Sequence, residues 1–205
     1  MSAPAFRVLA ADPPWAFRDA LPGETRGAAR QYRTMDVAEI MRFPLPPIAA
    51  DSWLLLWYVT AMIDEARRVC RAWGFTPTGA ELVWVKTTKP GAMVMDFMDP
   101  ESGDVKLDDL EAWGVKPTKL AFGMGHTVRN CNERVIIARR GKPEVASRSI
   151  RSVFFAPVGE HSEKPDRFYA LVEALCGAGP RAELFARRHR PGWTCFGDEL
   201  PEVAP

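Results

Sequence analysis

The sequence predicts an α/β fold with a mainly parallel sheet and helices on both faces. Three observations carry this expectation. Apolar runs of strand length recur along the whole chain. Segments with apolar residues at helical spacing lie between several of them. The first run stops abruptly at a carboxylate followed by two prolines, as a strand does when it ends in a rigid turn.

Phe6–Ala11 is the first of these strands and ends at Asp12-Pro13-Pro14-Trp15. Residues 16–34 are polar, rich in Gly and Arg and without period, so they read as a loop. Asp36 fits the N-cap of a short helix through Arg42, which Phe43-Pro44-Leu45-Pro46-Pro47 brings to an end. Ser52–Val59 is the second strand. Thr60 is then expected to cap a helix carrying Ile63, Ala66, Val69, Cys70 and Trp73, closed by Gly74. Leu82–Val85 is a strand followed by Lys86. Residues 87–124 read as irregular, and an irregular stretch of this length in a compact domain usually serves function or is disordered. Arg134–Ala138 and Ser152–Phe155 are strands. Lys164-Pro165-Asp166 opens a helix with Phe168, Leu171, Val172 and Leu175 on one face, the proline sitting in the first turn where its missing N–H costs nothing. Ala182–Ala186 and Trp193–Phe196 are the last strands. No internal repeat or linker interrupts the chain. The expectation is therefore one domain over residues 1–205, with 16–34 and 87–124 as substrate loops.

Basic and acidic residues number 27 and 26, so the net charge is +1 and no global field attracts a polyanion. Any nucleic-acid contact needs a local patch. Cys70, Cys131, Cys176 and Cys195 are far apart in sequence and form no C-x-x-C pair. That argues against a metal centre and for free thiols. There is no signal-peptide pattern and no apolar run of membrane-spanning length, so a cytoplasmic protein without membrane contact is expected.

Asp12-Pro13-Pro14-Trp15 carries the chemistry. A carboxylate at the C-terminal end of a buried strand sits where open α/β sheets bind ligands. The two prolines remove two backbone donors and leave carbonyl acceptors. Trp15 adds a flat apolar surface. Such a pocket suits a planar amine with two N–H groups, and the exocyclic amine of adenine is one. Asp12 and the Pro13 carbonyl can each accept one N–H and aim the nitrogen lone pair at a methyl donor, so that proximity and preorganised electrostatics supply the rate.

With these residues the chain resembles the adenine-N6 DNA/RNA methyltransferases named for the seventy-kilodalton subunit of the messenger-RNA adenosine methyltransferase. Tyr32-Arg33-Thr34-Met35, Leu55-Leu56-Trp57, Trp73-Gly74-Phe75, Trp84-Val85-Lys86, the His161–Asp166 segment, Glu183–Arg187 and Arg190–Trp193 are similar to family elements and stand in the family's order. The resemblance implies a Rossmann-like methyltransferase with circularly permuted motifs, catalytic strand first and cofactor strand last. It implies S-adenosylmethionine as methyl donor. Asp12 is then expected at the methionine amine, Lys164 at the methionine carboxylate, and Phe185, Arg187 and His189 along the cofactor pocket. Asp198 and Glu199 are expected at the ribose hydroxyls, with Asp198 standing where many relatives carry Asn. On the substrate side, Arg18, Arg30 and Tyr32 of the first loop, with Lys86, Arg129 and Glu133, are expected to meet nucleic acid. The compact form resembles phage and bacterial members, which favours DNA over RNA and leaves room for a homodimer. A catalytically inactive nucleic-acid-binding adaptor is the reading from another class. The intact Asp12 and Trp15 speak against it.

Overall fold

The computed structural model describes residues 5–16, 34–89, 92–93, 117–123, 128–159, 163–198 and 200. Its elements are β1 (Phe6–Ala11), α1 (Val37–Met41), β2 (Ile48–Tyr58), α2 (Ile63–Ala72), β3 (Thr76–Thr87), β4 (Ala92–Met93), β5 (Pro117–Thr118), β6 (Asn132–Arg140), β7 (Val153–Pro157), α3 (Asp166–Cys176), β8 (Arg181–Leu184) and β9 (Thr194–Phe196). The main sheet has the order β7-β3-β6-β2-β1-β8-β9. β1 runs parallel to β2 and β8, β8 to β9, and β3 to β7, while β6 is antiparallel to β2. This is the Rossmann-like, mainly parallel sheet that the sequence implies. No helix among the described residues is long and apolar enough to cross a membrane.

The chain forms two compact units. The first comprises Met1–Leu82, Arg134–Ser152 and Val172–Pro205. Leu9 and Ala11 of β1 join Leu54 and Leu56 of β2, Ala182 and Leu184 of β8, Ile40 of α1 and Ala66, Val69 and Cys70 of α2 in one core. The opposite alternation, Val8 and Ala10 of β1 with Leu55 and Trp57 of β2, is buried as well. That is why these strands read as continuous apolar runs. Each Leu or Ile sealed in this way contributes about 1.5–3 kcal/mol of transfer free energy.

Local chemistry fixes the helix ends. Asp36 caps α1 in a capping box, its Oδ1 accepting from the Glu39 N–H at 2.7 Å while the Glu39 carboxylate accepts from the Asp36 N–H at 2.7 Å. Thr60 does not cap α2 as expected. It begins a 3-10 turn over Thr60–Met62 that leads into the helix, whose start has no side-chain cap. At its other end Gly74, at φ +82°, donates to the Arg71 carbonyl, and Phe75 donates to that of Cys70. This is the Schellman pattern a glycine allows. The Trp73 indole reaches the Ile40 carbonyl at 3.0 Å and ties α2 to α1.

The second unit comprises Val83–Glu133 and Val153–Leu171. The end of β3 pairs with β7 from Val83↔Val153 to Thr87↔Pro157, and the Trp84 indole donates to the Ala156 carbonyl at 2.9 Å. Part of the stretch expected to be irregular is ordered against β3. Thr88 N–H donates to Lys119 O at 2.8 Å and Ala121 N–H to Lys86 O at 2.9 Å. These backbone groups need partners, and residues 119–121 supply them. Their mixed composition carries no strand period that would announce it. β3 itself begins at Thr76, well before the expected Leu82, because Pro77 and Gly79 mask a strand that Thr78 secures through its hydroxyl bond to Ile137 O at 2.8 Å.

Candidate active site

Three parallel strands of the first unit end side by side. The register matches Ala11 of β1 with Leu184 of β8, and Leu184 with Phe196 of β9. Asp12, Phe185 and Gly197 therefore follow one another along one edge, each about 5 Å from the next. This is the carboxyl edge where parallel sheets take their ligands.

The turn after β1 is a surface of acceptors. Pro13 and Pro14 have no N–H. The Trp15 N–H is spent on the Pro13 carbonyl at 2.8 Å, and the Ala16 N–H on the Met35 carbonyl at 2.9 Å. Met35 in turn donates to Pro14 O at 2.8 Å, which straps the turn to the residues just before α1. Asp12 is half-buried and Pro13 buried. The Pro13 carbonyl keeps a second lone pair beyond the one that Trp15 occupies.

Trp15 does not present the open stacking face expected of it. Its indole is only 6% exposed, belongs to the core, and donates Nε1–H to the Trp57 carbonyl at 3.0 Å. Burying so large a ring is strongly favourable once its N–H is satisfied. Trp15 thus fixes the turn's position rather than offering a platform.

The neighbouring edge is strained and tightly packed. Phe185, directly after β8, has φ +60°, the left-handed region that a bulky residue enters at a cost of about 1–3 kcal/mol. Its ring rests on Phe43 with centroids 4.5 Å apart. Ala186 is buried, and its N–H donates to the Phe196 carbonyl at 2.9 Å. A side chain on Gly197 would meet the Ala186 carbonyl oxygen at 2.0 Å. The close backbone approach at this edge is thus made by Gly197 against Ala186, where only a glycine fits. Arg187 is half-buried, and His189 and Asp198 are exposed.

In the second unit the structure unites Lys164, expected at the cofactor, with Lys86 and Glu133, both expected at nucleic acid. Glu133 takes Lys86 Nζ on Oε1 at 2.6 Å and Lys164 Nζ on Oε2 at 3.3 Å. Burial pushes the Glu133 carboxyl up, but the Lys164 and Lys86 ammonium groups outweigh it and hold the acid below its ordinary range. Lys86 also lies over the Trp84 ring, 5.2 Å from its centroid. Lys164 is only 10% exposed and immediately precedes Pro165, whose carbonyl accepts from Phe168 at the start of α3. Arg129 is exposed. Arg18, Arg30, Tyr32 and Glu199 lie outside the described residues.

A family model described as MT-A70 matches residues 6–116 and 104–199. The chain is 28% identical to an N(6)-adenosine-methyltransferase MT-A70-like protein of Arabidopsis thaliana over 97% of its own length and 24% of that protein. It is 26% identical to the N(6)-adenosine-methyltransferase catalytic subunit METTL3 of Homo sapiens, over 97% of this chain and 29% of METTL3. With the type II methyltransferase M.MunI of Mycoplasma sp it shares 23% identity over 96% of this chain and 78% of that enzyme. The chain thus spans about a quarter of the length of the plant and animal relatives and most of the bacterial one.

Proposed function

The chain belongs to the MT-A70 family, and from that premise we propose that it transfers a methyl group from S-adenosylmethionine to the exocyclic N6 amine of adenine in DNA. The acceptor-only turn after β1 is the observation that carries this reading. Asp12 offers a carboxylate and Pro13 a carbonyl, while the N–H groups of Trp15 and Ala16 are turned into the protein. An aminopurine meets hydrogen-bond acceptors there and no competing donor from these residues. With both N–H groups held, the amine nitrogen keeps its lone pair free for attack, and its proton leaves after the new N–C bond forms. Asp12 therefore acts by orientation and charge rather than as a strong base.

S-adenosylmethionine, when bound, supplies the electrophilic methyl group. The residues at the adjoining edge fit such a ligand. Phe185 brings an aromatic ring beside the Asp12 turn, and the exposed Asp198 carboxylate suits ribose hydroxyls. Arg187 and His189 follow on the same segment. Lys164 of the second unit, which pairs with Glu133 at 3.3 Å, is the residue that the family resemblance assigns to the methionine carboxylate.

The match to a bacterial type II methyltransferase, over 96% of this chain and 78% of that enzyme, is what supports DNA as the substrate in this reading. A second reading, the same chemistry on RNA, is supported by the naming of the plant and animal relatives as adenosine methyltransferases. The test is methyl-labelled S-adenosylmethionine with matched single-stranded DNA, duplex DNA and RNA, followed by digestion to nucleosides. Labelled 6-methyladenine is expected from at least one DNA substrate. Asp12→Ala is expected to cut the rate about a hundredfold or more while S-adenosylmethionine binding persists. Label in RNA alone transfers the assignment to RNA. Nucleic-acid binding without methyl transfer leaves the adaptor reading in its place.

A further inference from the structure

A second recess lies in the first unit, away from the Asp12 edge. It is a groove of about 320 Å³ between β3, β6 and the segment joining β6 to β7. Its lining includes the aliphatic Leu82, Ile137 and Leu175, together with Arg148 and Ser147, whose hydroxyl pairs with that of Ser149 at 2.9 Å. The volume is at the lower end of the range for small-ligand pockets, about 300–1,000 Å³. It is large enough for one flat ring with its attached sugar and far too small for a duplex. No residue assigned above to methyl transfer lines it.

Charge says what kind of ligand fits. From Arg134 to Ser152 the chain carries Arg134, Arg139, Arg140, Lys142, Arg148 and Arg151 against a single acid, Glu144. Against a net charge of only +1 for the whole chain this stretch is strongly basic, and Arg148 is the cation of it that lines the groove. Arg139, Arg140, Lys142, Arg148 and Arg151 are all exposed. Glu81, the one acid among the described residues lining the groove, is engaged by the Tyr58 hydroxyl at 3.0 Å and by Arg134 at 3.6 Å, which offsets its charge. Aliphatic side chains in one lining with a guanidinium match a base together with its phosphate.

We infer that this groove holds a nucleotide of the substrate strand other than the adenine being methylated, with its base on the aliphatic side chains and its phosphate against Arg148. The inference rests on the nucleic-acid reading above. β3 is three strands from β1, about 15 Å across the sheet, and the segment that walls the groove leaves β6 where Arg140 pairs with Ser52, at the end of the sheet opposite Asp12, so a strand of nucleic acid reaches both places by spanning several nucleotides. The groove would then add affinity and register without entering the chemistry.

The test uses the full chain and a fluorescein-labelled thymidine tract containing one adenine, titrated over a range of salt. Arg148→Glu is expected to weaken binding about tenfold and to make the slope of log K against log salt shallower by about one or more. Val145→Trp, which fills the groove, is expected to weaken binding with the slope unchanged. Thermal melts of both variants check that they are folded. Wild-type affinity and slope in both variants, with the oligonucleotide still bound, overturns the groove and leaves the methyl-transfer reading standing. Complete displacement of the tract by free thymidine monophosphate from the unaltered protein but not from Val145→Trp assigns the groove to a soluble nucleotide and overturns its place on the strand. Failure of the unaltered protein to bind any oligonucleotide removes the nucleic-acid reading, and this inference with it.

Discussion

At Glu133 two ammonium groups outweigh the cost of half-burying an acid, so its carboxyl titrates lower in the folded chain than in the unfolded one. The stability it contributes is complete above the ordinary glutamate value of about 4.3 and is lost as pH falls through the lower folded value. Glu133→Gln keeps the shape, removes the charge and leaves Lys86 and Lys164 to repel each other. The expected cost near neutral pH is about 1–2 kcal/mol, between the values typical of exposed and buried pairs. Thermal melts at about pH 7 and about pH 3 check the sign, because the gap between variant and wild type must narrow on the acid side. A gap that widens there contradicts the ion-pair account. The place of Asp12, directly after a buried strand, was legible from the apolar run before it. The joining of Lys86, Glu133 and Lys164 was not, since residues so far apart in sequence meet only through the fold. The left-handed backbone of Phe185 was equally hidden, because nothing in a Leu-Phe-Ala run demands a positive φ.

At the scale of elements, the joint between β8 and β9 depends on one missing methyl group. Gly197 lies where an added Cβ would sit 2.0 Å from the Ala186 carbonyl oxygen and 2.9 Å from its nitrogen, both fixed backbone atoms. Gly192, a few residues earlier, has φ +78° and nothing within 4 Å of an added Cβ. The two positions separate crowding from backbone strain. Gly192→Ala is expected to cost about 1 kcal/mol, the left-handed penalty alone. Gly197→Ala is expected to cost about 2–3 kcal/mol by forcing the strands apart. It should also weaken S-adenosylmethionine binding, because Phe185 and Asp198 flank the displaced backbone. Denaturant melts and cofactor titration of the two variants decide this, and equal losses in both would show that crowding is not the cause. Strands such as β1, β2 and β8 were readable because burial on both faces leaves unbroken apolar runs. The first half of β3 and the pairing of residues 119–121 were not, since proline, glycine and mixed polarity conceal backbone bonds that only the neighbouring strand reveals.

Over the whole molecule the four cysteines sort by depth, and this gives a reading of how the first unit opens. All four are free thiols. Burial pushes Cys70 and Cys176 up to about 12, and both side chains are sealed in the interior. Cys131 and Cys195 are only half-buried, although burial raises Cys195 as well. Thiolate is the reacting form, so the two deep thiols are doubly protected, by access and by protonation. Cys70 belongs to the core that holds β1 and β2, and Cys176 ends α3 within the same unit. A maleimide or disulfide reagent at neutral pH is therefore expected to modify at most two cysteines of the native chain. Cys70 and Cys176 should react only as denaturant opens the unit. If opening is cooperative, their rates should fall on one curve against denaturant and coincide with the loss of native tryptophan fluorescence, to which the buried Trp15, Trp53, Trp57 and Trp73 of this unit contribute. Early modification of Cys176 alone would mean that the end of α3 opens on its own, and the carboxyl edge bearing Asp12 and Phe185 could then persist while that helix end is loose.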